Sequence, residues 1–267
     1  MIRAPLKQKT KIVLGISSVV VLIIAYSILS YRQHILFPKN TTMPSIQQMA
    51  YGFYEICVPD PLTGKIVFWE DLKASSFRLF AGMLISIIIS VVVGILMGCY
   101  EFVEAIFIVP FSIAAKIPPT AMIVIFMILA GTDTYLFLTL IGFGTAPVLT
   151  QSIFQAAKFD VHDELIQKAY TLGGSEIEIV INIVFRQTLP RIIEAIRLQM
   201  GPAMVYLIAA ELALANVGFG YTIGLDGKKQ DFDIVYPYCI MLGFIGLFLD
   251  FVLIRARQYC CPWFDKE

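Results

Sequence analysis

Long apolar runs recur along this chain and constrain its fold more than any other feature. A helix needs about 20 largely apolar residues to cross the hydrocarbon core of a bilayer, so each run predicts a transmembrane helix. Six runs are present, at 12–29, 79–98, 105–130, 135–157, 192–215 and 234–254. The sequence therefore predicts an all-α polytopic membrane protein with six transmembrane helices.

The composition agrees with this class. Hydrophobic residues make up 58% of the chain and charged residues only 15%, against about 25% charged residues in soluble domains. The formal net charge is zero, which removes the bulk electrostatic argument for nucleic-acid binding, so no nucleic-acid partner is expected. The five cysteines form no CxxC pair and have no metal-ligand spacing with the two histidines. Neither a disulfide framework nor a metal site is expected.

The first apolar run is interpreted as a retained anchor rather than a signal peptide. Signal-peptide cores are about 7–15 residues long and end at a small-residue cleavage site. This run is longer and is followed by Tyr31, Arg32 and Gln33. Four basic residues precede it: Arg3, Lys7, Lys9 and Lys11. By the positive-inside rule, these place the N-terminus in the cytoplasm.

Six spans that start inside divide the chain into four parts and leave both termini cytoplasmic. The parts are an anchor helix in 1–30, a periplasmic segment in 31–76, a five-helix core in 77–255 with a cytoplasmic loop in 158–191, and a cytoplasmic tail in 256–267. Within the periplasmic segment, Pro44-Ser45 predicts the start of a short helix and PDPLTG at 59–64 predicts a turn.

The third apolar run contains KIPPT at 116–120. The Pro118-Pro119 pair breaks the helical ladder, which is tolerated at membrane depth only against protein or a wet cavity. Lys116 falls at mid-depth of this run, where an ionisable residue indicates a functional site. The alternative is a snorkelling or ion-paired lysine beside a structural kink. Lys116, Pro118 and Pro119 are therefore candidates for a translocation pathway.

The stretch QKAYTLGGSEIEIVINIVFRQTLP, residues 167–190, is a polar insert between the fourth and fifth runs. Asp160 is the predicted N-cap of a helix over 161–172. Gly173-Gly174 ends that helix, because glycine readily adopts the left-handed conformation of a helix C-terminus. The first half of the insert is therefore a short helix with a glycine stop.

A second helix is predicted directly after this stop. Ser175 and Glu178 have the spacing of a capping box, and the helix is expected to run to Leu189-Pro190, where the fifth span begins. The insert is thus a helix–turn–helix at the cytoplasmic surface. It is either an amphipathic helix lying on the bilayer or a docking element for a groove on a protein partner. The acidic start at Asp163 and Glu164 favours a protein partner.

The insert resembles the cytoplasmic loop of the permease subunits of bacterial ABC importers. Their pattern is close to E-A-A, three residues, Gly, nine residues and I-x-L-P. Ala169, Gly173 and Ile183 agree with it, whereas Gln167-Lys168 replace the acidic residue and the first alanine, and Arg186 replaces the proline. Further motifs are similar to the nitrate/sulfonate/taurine-type branch. They are Ser75, Arg78 and Gly82; Ile117-Pro118-Pro119; Leu189-Pro190; Ala195-Ile196-Arg197; and Ala210-Glu211 with Gly218-Phe219-Gly220-Tyr221.

This resemblance implies a type I ABC importer permease (MetI-like) core with one extra N-terminal helix, in a bacterial inner (cytoplasmic) membrane. The loop would be the coupling helix that docks on a separate ATPase, which binds ATP and Mg, so this chain needs no cofactor and is not itself an enzyme. A periplasmic or lipid-anchored substrate-binding protein, a second permease copy and membrane lipid would be the other partners. The residues expected to dock are Glu164, Gln167, Lys168, Ala169, Leu172, Gly173 and Gly174.

The fifth run carries a stripe of residues at alternating spacings of four and three. They are Arg197, Gly201, Met204, Ile208, Glu211 and Ala215. A helix face with both charges is expected to point to the bundle interior, a dimer contact or a wet pathway, which makes Arg197, Met204 and Glu211 pathway candidates. Arg197 is expected to pair with Glu194. Lys116 is the hypothetical partner of Glu211. Gly218–Tyr221 is expected to form a tight turn.

The function expected is therefore the translocation subunit for a small anionic solute, coupled to ATP hydrolysis on a partner chain. An intramembrane enzyme is disfavoured, since no GxSxG or HExxH motif and no paired membrane aspartates occur. An ATP-independent secondary transporter or channel stays an alternative, although only one span, the one with Pro118-Pro119, is interpreted as broken by proline. The spans do not identify the solute.

Overall fold

The computed structural model describes residues 7–36, 42–59 and 64–264. Outside these residues lie most of the predicted turn at 59–64, the basic residue Arg3 and the last three residues of the predicted tail. Within them the chain is helical, without strands. The α-helices are α1 Gln8–Leu36, α2 Ile46–Cys57, α3 Val67–Cys99, α4 Glu101–Ala114, α5 Ile123–Ala130, α6 Thr134–Gln155, α7 Asp163–Thr171, α8 Glu176–Ile179, α9 Arg186–Leu214, α10 Phe219–Lys229 and α11 Phe232–Cys260.

In the described residues, five helices are long and apolar enough to cross a membrane, and six spans result if one bent pair counts as a span. The first member of the pair is α4, and the second is the segment Pro119–Ala130, which consists of the 3-10 turn Pro119–Met122 and α5. The helix axis bends by 84° between the two members. The predicted break at KIPPT is confirmed. The break falls there because Pro118 has no N–H for the helical ladder and adopts an extended conformation (ψ 119°).

The fifth span is longer than its apolar run. Residues from Glu176 to Leu214 form one continuous helical segment of 39 residues, in which Val180–Phe185 is a π turn. Pro190 lies inside this segment and does not end it. A helix boundary at Leu189-Pro190 is therefore wrong. A second π turn, Ala156–Asp160, directly follows α6.

Two further local predictions are corrected. Asp160 belongs to the π turn that follows α6, and the N-cap of α7 is His162, which makes no side-chain capping bond. Asp160 instead pairs with Arg191 at 3.1 Å. The stretch Gly218–Tyr221 does not form a simple tight turn, because α10 begins at Phe219.

By its contacts the chain divides into two compact units, Met1–Val67 with Leu225–Cys239 and Phe68–Gly224 with Ile240–Glu267. In the first unit, Tyr26 of α1 donates to the Pro44 carbonyl at 2.8 Å and its ring lies 5.9 Å from that of Tyr236. The predicted short helix is confirmed as α2. Its N-cap Ser45 forms a capping box with Gln48, which satisfies two backbone donors.

In the second unit, α3 and α6 approach closely through small residues. A Cβ at Gly94 would lie 2.9 Å from the side chain of Ile153, and a Cβ at Gly98 would lie 2.5 Å from that of Ala157. Between helices in a membrane, small residues allow backbones to approach, and hydroxyls bond across the interface. Ser86 and Thr145 are fully buried and hydrogen-bonded at 2.7 Å.

The core of the second unit lies along α6, which packs on α9. Leu136, Leu140 and Ile141 of α6 are completely buried, as are Ala203 and Ala210 of α9. The opposite side of α9 is exposed and apolar, with Leu198 at 66% and Val205 at 61%. The helix therefore has one face in the protein interior and one face suited to lipid or to another protein.

Candidate functional site

A buried carboxylate organises one end of the α3–α9 pair. Glu211 of α9 is 0% exposed. It accepts hydrogen bonds from Ser75 Oγ at 2.8 and 2.9 Å and from Arg78 Nη1 at 2.8 Å, both on α3. Arg78 also donates to the Val217 carbonyl at 2.7 Å, and its guanidinium lies 4.2 Å from the centre of the Phe137 ring. The charge of Glu211 is thus paired and hydrogen-bonded, which a buried charge requires.

Gly218 and the first two residues of α10, Phe219 and Gly220, donate three successive backbone N–H groups to this region. Gly218 N donates to Asp71 Oδ1 at 2.8 Å, Phe219 N to Ser75 Oγ at 3.0 Å, and Gly220 N to Glu211 Oε2 at 3.0 Å. The first N–H groups of a helix lack partners within that helix, so these acceptors supply them. Asp71 also accepts from Thr222 Oγ1 at 2.6 Å. We call Asp71, Ser75, Arg78, Glu211 and Thr222, with these three N–H groups, the Glu211 cluster.

Glycine is required at two positions where the chain enters α10. Gly218 has φ +131°, and a Cβ there would lie 2.5 Å from Glu211 Oε1. A Cβ at Gly220 would lie 2.5 Å from the Ile208 carbonyl oxygen and 2.6 Å from Glu211 Cβ. Because side chains cannot be accommodated at such distances, the glycines allow the turn to reach the carboxylate.

The hypothetical Lys116–Glu211 pair is wrong. Glu211 pairs with Arg78, whose guanidinium suits a buried carboxylate better than an ammonium because it is planar and more weakly hydrated. Lys116 lies in the turn after α4 and is exposed, and it forms no ion pair among the residues that the structure describes.

The partners of Glu211 were not foreseen, although a signal for them is present. Asp71, Ser75 and Arg78 follow one another at spacings of four and three, so they share one face of α3. A polar stripe at the start of an otherwise apolar helix indicates a buried polar contact. The motif resemblance singles out Ser75 and Arg78 but not Asp71, and it does not link them to Glu211.

A second charge cluster joins α9 to α11. The predicted Arg197–Glu194 pair is confirmed at 3.1 Å. Glu194 also accepts from Arg257 at 3.0 Å, and Arg197 lies 2.9 Å from Asp250. Each charge has an opposite neighbour, and all four side chains are partly exposed. This arrangement fixes the register of the two helices, as expected for an ion-pair network.

The break in the third span packs against α6 and α9. A Cβ at Gly144 would lie 2.6 Å from the Tyr206 ring and 2.8 Å from Pro119 Cγ. Gly144 thus allows Pro119 of the break and Tyr206 of α9 to meet on α6. Pro118 is exposed and Pro119 is half-buried. The structure brings Pro119, but not Lys116, into this contact.

Met204, another pathway candidate, lines a small apolar cavity between helices of the second unit. Ser75, Ser76 and Phe219 also line it, so the cavity adjoins the Glu211 cluster. Its remaining walls are aliphatic: Leu79, Leu207, Ile208, Leu242 and Ile245. Met204 and Glu211 therefore lie beside the same buried region. Arg197, the third candidate on the fifth run, belongs instead to the second charge cluster.

The predicted docking residues lie on an exposed element. No residue of α7 is buried. Glu164 and Lys168 form an exposed i, i+4 pair at 3.9 Å, Gln167 is exposed and Ala169 is half-buried. Leu172, which caps the C-terminus of α7, is 88% exposed. Leu172 therefore displays an apolar side chain beside the charged side chains of α7, an arrangement that resembles the apolar anchors of helix-in-groove recognition.

Local hydrogen bonds hold the turn of the loop in place. Gly173 has φ +82°, and Gly174 N donates to the Ala169 carbonyl at 3.0 Å, so the predicted glycine stop is confirmed. The predicted capping box is also confirmed, with Glu178 N donating to Ser175 Oγ and Ser175 N donating to Glu178 Oε2. The loop is therefore an ordered helix–turn–helix.

Comparison with known proteins places this architecture in a family. Residues 90–264, more than half of the chain, match the family described as binding-protein-dependent transport system inner membrane component. A putative ABC transporter permease protein of Methanocaldococcus jannaschii is 30% identical over 190 residues, 70% of each chain. The taurine transport system permease protein of Escherichia coli (strain K12) is 26% identical over 224 residues, 83% of this chain and 80% of that one.

Other similarities agree with this family. The bicarbonate transport system permease protein of Synechococcus elongatus is 28% identical over 194 residues, 70% of this chain and 66% of that one. An inward-facing structure of the MetNI methionine ABC transporter shares the fold with a TM-score of 0.62, at 17% identity over 73% of this chain and 96% of that one. The chain therefore belongs to the binding-protein-dependent transport system inner membrane components, the permease subunits of ABC importers.

Proposed function

We propose that this permease forms the translocation pathway for a small anionic solute in a bacterial inner membrane. It is driven by a separate ATPase that binds ATP and Mg and docks on the α7 loop. The observation that carries the proposal is the ordered, exposed helix α7 in a chain that belongs to the importer permeases. No GxxxxGK[ST] motif for ATP occurs in the sequence, which agrees with an ATPase on another chain.

The shape of the loop supports docking to a protein. Leu172 is 88% exposed, Ile177 71% and Tyr170 51%, and all three lie within three residues of the glycine turn. Helix-in-groove recognition uses apolar anchors of this kind on a helix whose other side is polar. Because Gly173 and the Ser175 capping box fix the turn, little conformational entropy is lost when a partner binds.

The relatives support an anionic solute. Their names specify taurine, aliphatic sulfonates and bicarbonate, all of which carry an anionic group. In this chain Lys116 offers an exposed cation at the break of the third span. A cation in a wet pathway attracts anions, so Lys116 is the side chain that we expect the solute to meet.

The remaining partners follow from the family. The family description names a binding protein, which would deliver the solute at the periplasmic side. The exposed apolar face of α9 can contact lipid or a second permease copy. The basic residues at the start of the chain favour a cytoplasmic N-terminus, and six spans would then put the C-terminus on the same side.

Docking is tested by purifying the tagged permease in mild detergent and identifying the proteins that accompany it. Leu172→Asp places a charge on the exposed anchor without touching the core. We expect this variant to keep its yield and to lose the ATPase that accompanies the wild type. The matched control is Tyr259→Asp, since Tyr259 is 89% exposed and lies at the end of α11, outside the loop.

Transport is tested in liposomes that contain the purified complex and the binding protein, with radiolabelled taurine, methanesulfonate and bicarbonate as probes. Uptake that requires ATP supports the proposal. A chain that purifies without an ATPase and still transports any of these anions would instead be a secondary transporter or channel.

A further inference from the structure

One face of α11 carries four exposed apolar side chains. They recur at helical spacings of three and four, so they share a face, and each is more than half exposed: Phe244 66%, Leu247 68%, Phe248 65% and Phe251 54%. We call these four residues the α11 stripe. Because α11 is long and apolar enough to cross a membrane, a stripe of this kind contacts either lipid or another protein.

Three polar side chains continue this stripe towards the end of α11. Arg255, Gln258 and Tyr259 are exposed, and they follow Phe251 by four, seven and eight positions, which places them on the same helix face. Their guanidinium, amide and phenol groups all donate hydrogen bonds. The sequence from 251 to 264 contains no acidic residue. The stripe thus ends in hydrogen-bond donors, without a carboxylate on the same segment.

The two arginines at this end of α11 differ in their partners. Arg257 lies on the other side of the helix and pairs with Glu194 at 3.0 Å. Arg255 makes no ion pair among the residues that the structure describes, and its guanidinium lies 5.0 Å from the centre of the Phe251 ring. Guanidinium groups form their strongest hydrogen bonds with carboxylate or phosphate oxygens. Arg255 is therefore available to an oxyanion from outside the chain.

Depth in the membrane indicates which oxyanion this is. The apolar run 234–254 ends at the residue before Arg255. As a helix with a rise of about 1.5 Å per residue, this run is as long as the hydrocarbon core of a bilayer is thick, about 30 Å. Arg255 therefore lies where the headgroups begin, and Tyr259 follows in the layer where tyrosine is enriched. The oxyanions of that layer are the phosphates of the lipids.

A second permease copy fits this face less well than lipid does. Identical subunits most often meet through the same patch on both chains. Contact of the α11 stripe with itself would bring each Arg255 to a surface that has donors but no carboxylate on the facing segment. Like charges that face each other across an interface destabilise it. The charge pattern thus favours lipid over self-association.

We propose that Arg255, Gln258 and Tyr259 bind the headgroup phosphate of an anionic glycerophospholipid, whose acyl chains lie along the α11 stripe. Because Arg255 has no acidic partner in the described part of the chain, a headgroup with a net negative charge is preferred. A zwitterionic headgroup binds more weakly, since its own ammonium group offsets the attraction of the phosphate. This inference goes beyond the proposed function, because it needs neither the ATPase nor the solute.

The first test measures lipid binding by native mass spectrometry. The sample is the full-length permease in detergent, with any subunits that purify with it. The probes are phosphatidylglycerol, which is anionic, and phosphatidylcholine, which is zwitterionic, at equal concentrations. We expect the wild type to bind phosphatidylglycerol more tightly. Equal affinity for the two lipids would overturn the proposal.

Substitution of Arg255 tests whether this side chain is the source of the preference. Arg255→Gln should bind phosphatidylglycerol roughly fivefold more weakly, the effect of one basic residue at an anionic membrane surface, and phosphatidylcholine as before. Arg255→Lys keeps the cation and should lose less. Lys228→Gln, at an exposed lysine of α10, is the control and should bind like the wild type. Unchanged phosphatidylglycerol binding by Arg255→Gln would contradict the site.

Gln258→Glu tests the site without removing the arginine. The new carboxylate lies one helical turn from Arg255 and pairs with it at the i, i+3 spacing. Phosphatidylglycerol binding should therefore fall by at least as much as in Arg255→Gln, at an unchanged thermal midpoint. Binding equal to that of the wild type would count against the proposal in the same way.

A crosslinking experiment identifies what covers the α11 stripe. Benzoylphenylalanine replaces Phe248, which is 65% exposed, and the permease is irradiated in nanodiscs that contain phosphatidylglycerol. An adduct with the mass of the permease plus one lipid supports the proposal. A crosslink to a second permease chain, or to another protein, would show that the stripe is a protein interface and would overturn it.

Discussion

Arg78 of α3 and Glu211 of α9 form an ion pair at 2.8 Å, in which the carboxylate is fully buried and the guanidinium side chain is 14% exposed. The two residues are 133 positions apart in the sequence. Their pairing joins helices from opposite halves of the permease core and holds the turn before α10 against them.

Loss of one partner from this pair is expected to destabilise the protein strongly. Glu211→Ala leaves Arg78 without its counter-charge and frees the Gly220 N–H. Breaking a buried pair in this way costs about 3–5 kcal/mol. Thermal unfolding of the purified permease in detergent, followed by tryptophan fluorescence, is expected to show a clearly lower midpoint for this variant.

A double-mutant cycle tests whether the two side chains act as a pair. The variants are Glu211→Met, Arg78→Met and the two combined. Coupled residues deviate from additivity by about 0.5–3 kcal/mol, so the double variant should lose less than the sum of the single losses. Strict additivity of the changes in unfolding free energy would contradict the pairing.

Gly218 is expected to tolerate no side chain. In Gly218→Ala the new Cβ meets the Glu211 carboxylate, and alanine is strained at the observed φ of +131°. Replacing glycine by alanine at a compatible φ stabilises a protein by roughly 0.4–1 kcal/mol, and at an incompatible positive φ it destabilises the protein by more than this amount. The thermal midpoint should therefore fall, together with the expression level.

Gly201→Ala is the matched control for this variant. Gly201 lies within α9, and a Cβ there meets no atom within 4 Å. Alanine in a helix interior is favoured over glycine by about 0.5–1 kcal/mol. The midpoint of the control should stay or rise, and an equal fall in both variants would show that the Gly218 turn has no special role.

Sequence reasoning succeeded where structure depends on local signals. Apolar runs identified the spans because a bilayer admits few alternatives to a continuous helix. The Ser175–Glu178 capping box and the Gly173 stop depend on contacts within a few residues, and both are present. These features follow from backbone chemistry that does not change with the rest of the fold.

It failed where the outcome depends on packing. The sequence offers Lys116, on the broken span, as a hypothetical partner of Glu211, yet relative helix position decides which cation is adjacent, and this is not encoded locally. Pro190 was expected to end a helix but lies within one.

Lys116 is expected to matter for transport but not for stability. Lys116→Met removes an exposed charge that has no ion pair in the described part of the chain, and such substitutions change stability by about 0.5 kcal/mol or less. Uptake of anionic solutes in liposomes should fall severalfold at an unchanged thermal midpoint. Lys228→Met, at another exposed lysine, is the control and should transport normally. Equal uptake by both variants would exclude a role for Lys116 in attracting the solute.

The capping box is expected to control the order of the loop. Ser175→Ala removes the hydroxyl that accepts from Glu178 N, and loss of a serine N-cap costs about 1 kcal/mol. Because α8 has only four residues and is exposed except for Ile179, this loss should open the turn locally and leave the core intact. Hydrogen exchange followed by mass spectrometry should show roughly fivefold faster exchange in a peptide covering 173–180, as about 1 kcal/mol implies.

Thr171→Ala, whose hydroxyl bonds only to the Lys168 carbonyl among the contacts described, serves as the control. Similar acceleration in both variants would show that the capping box does not hold the loop.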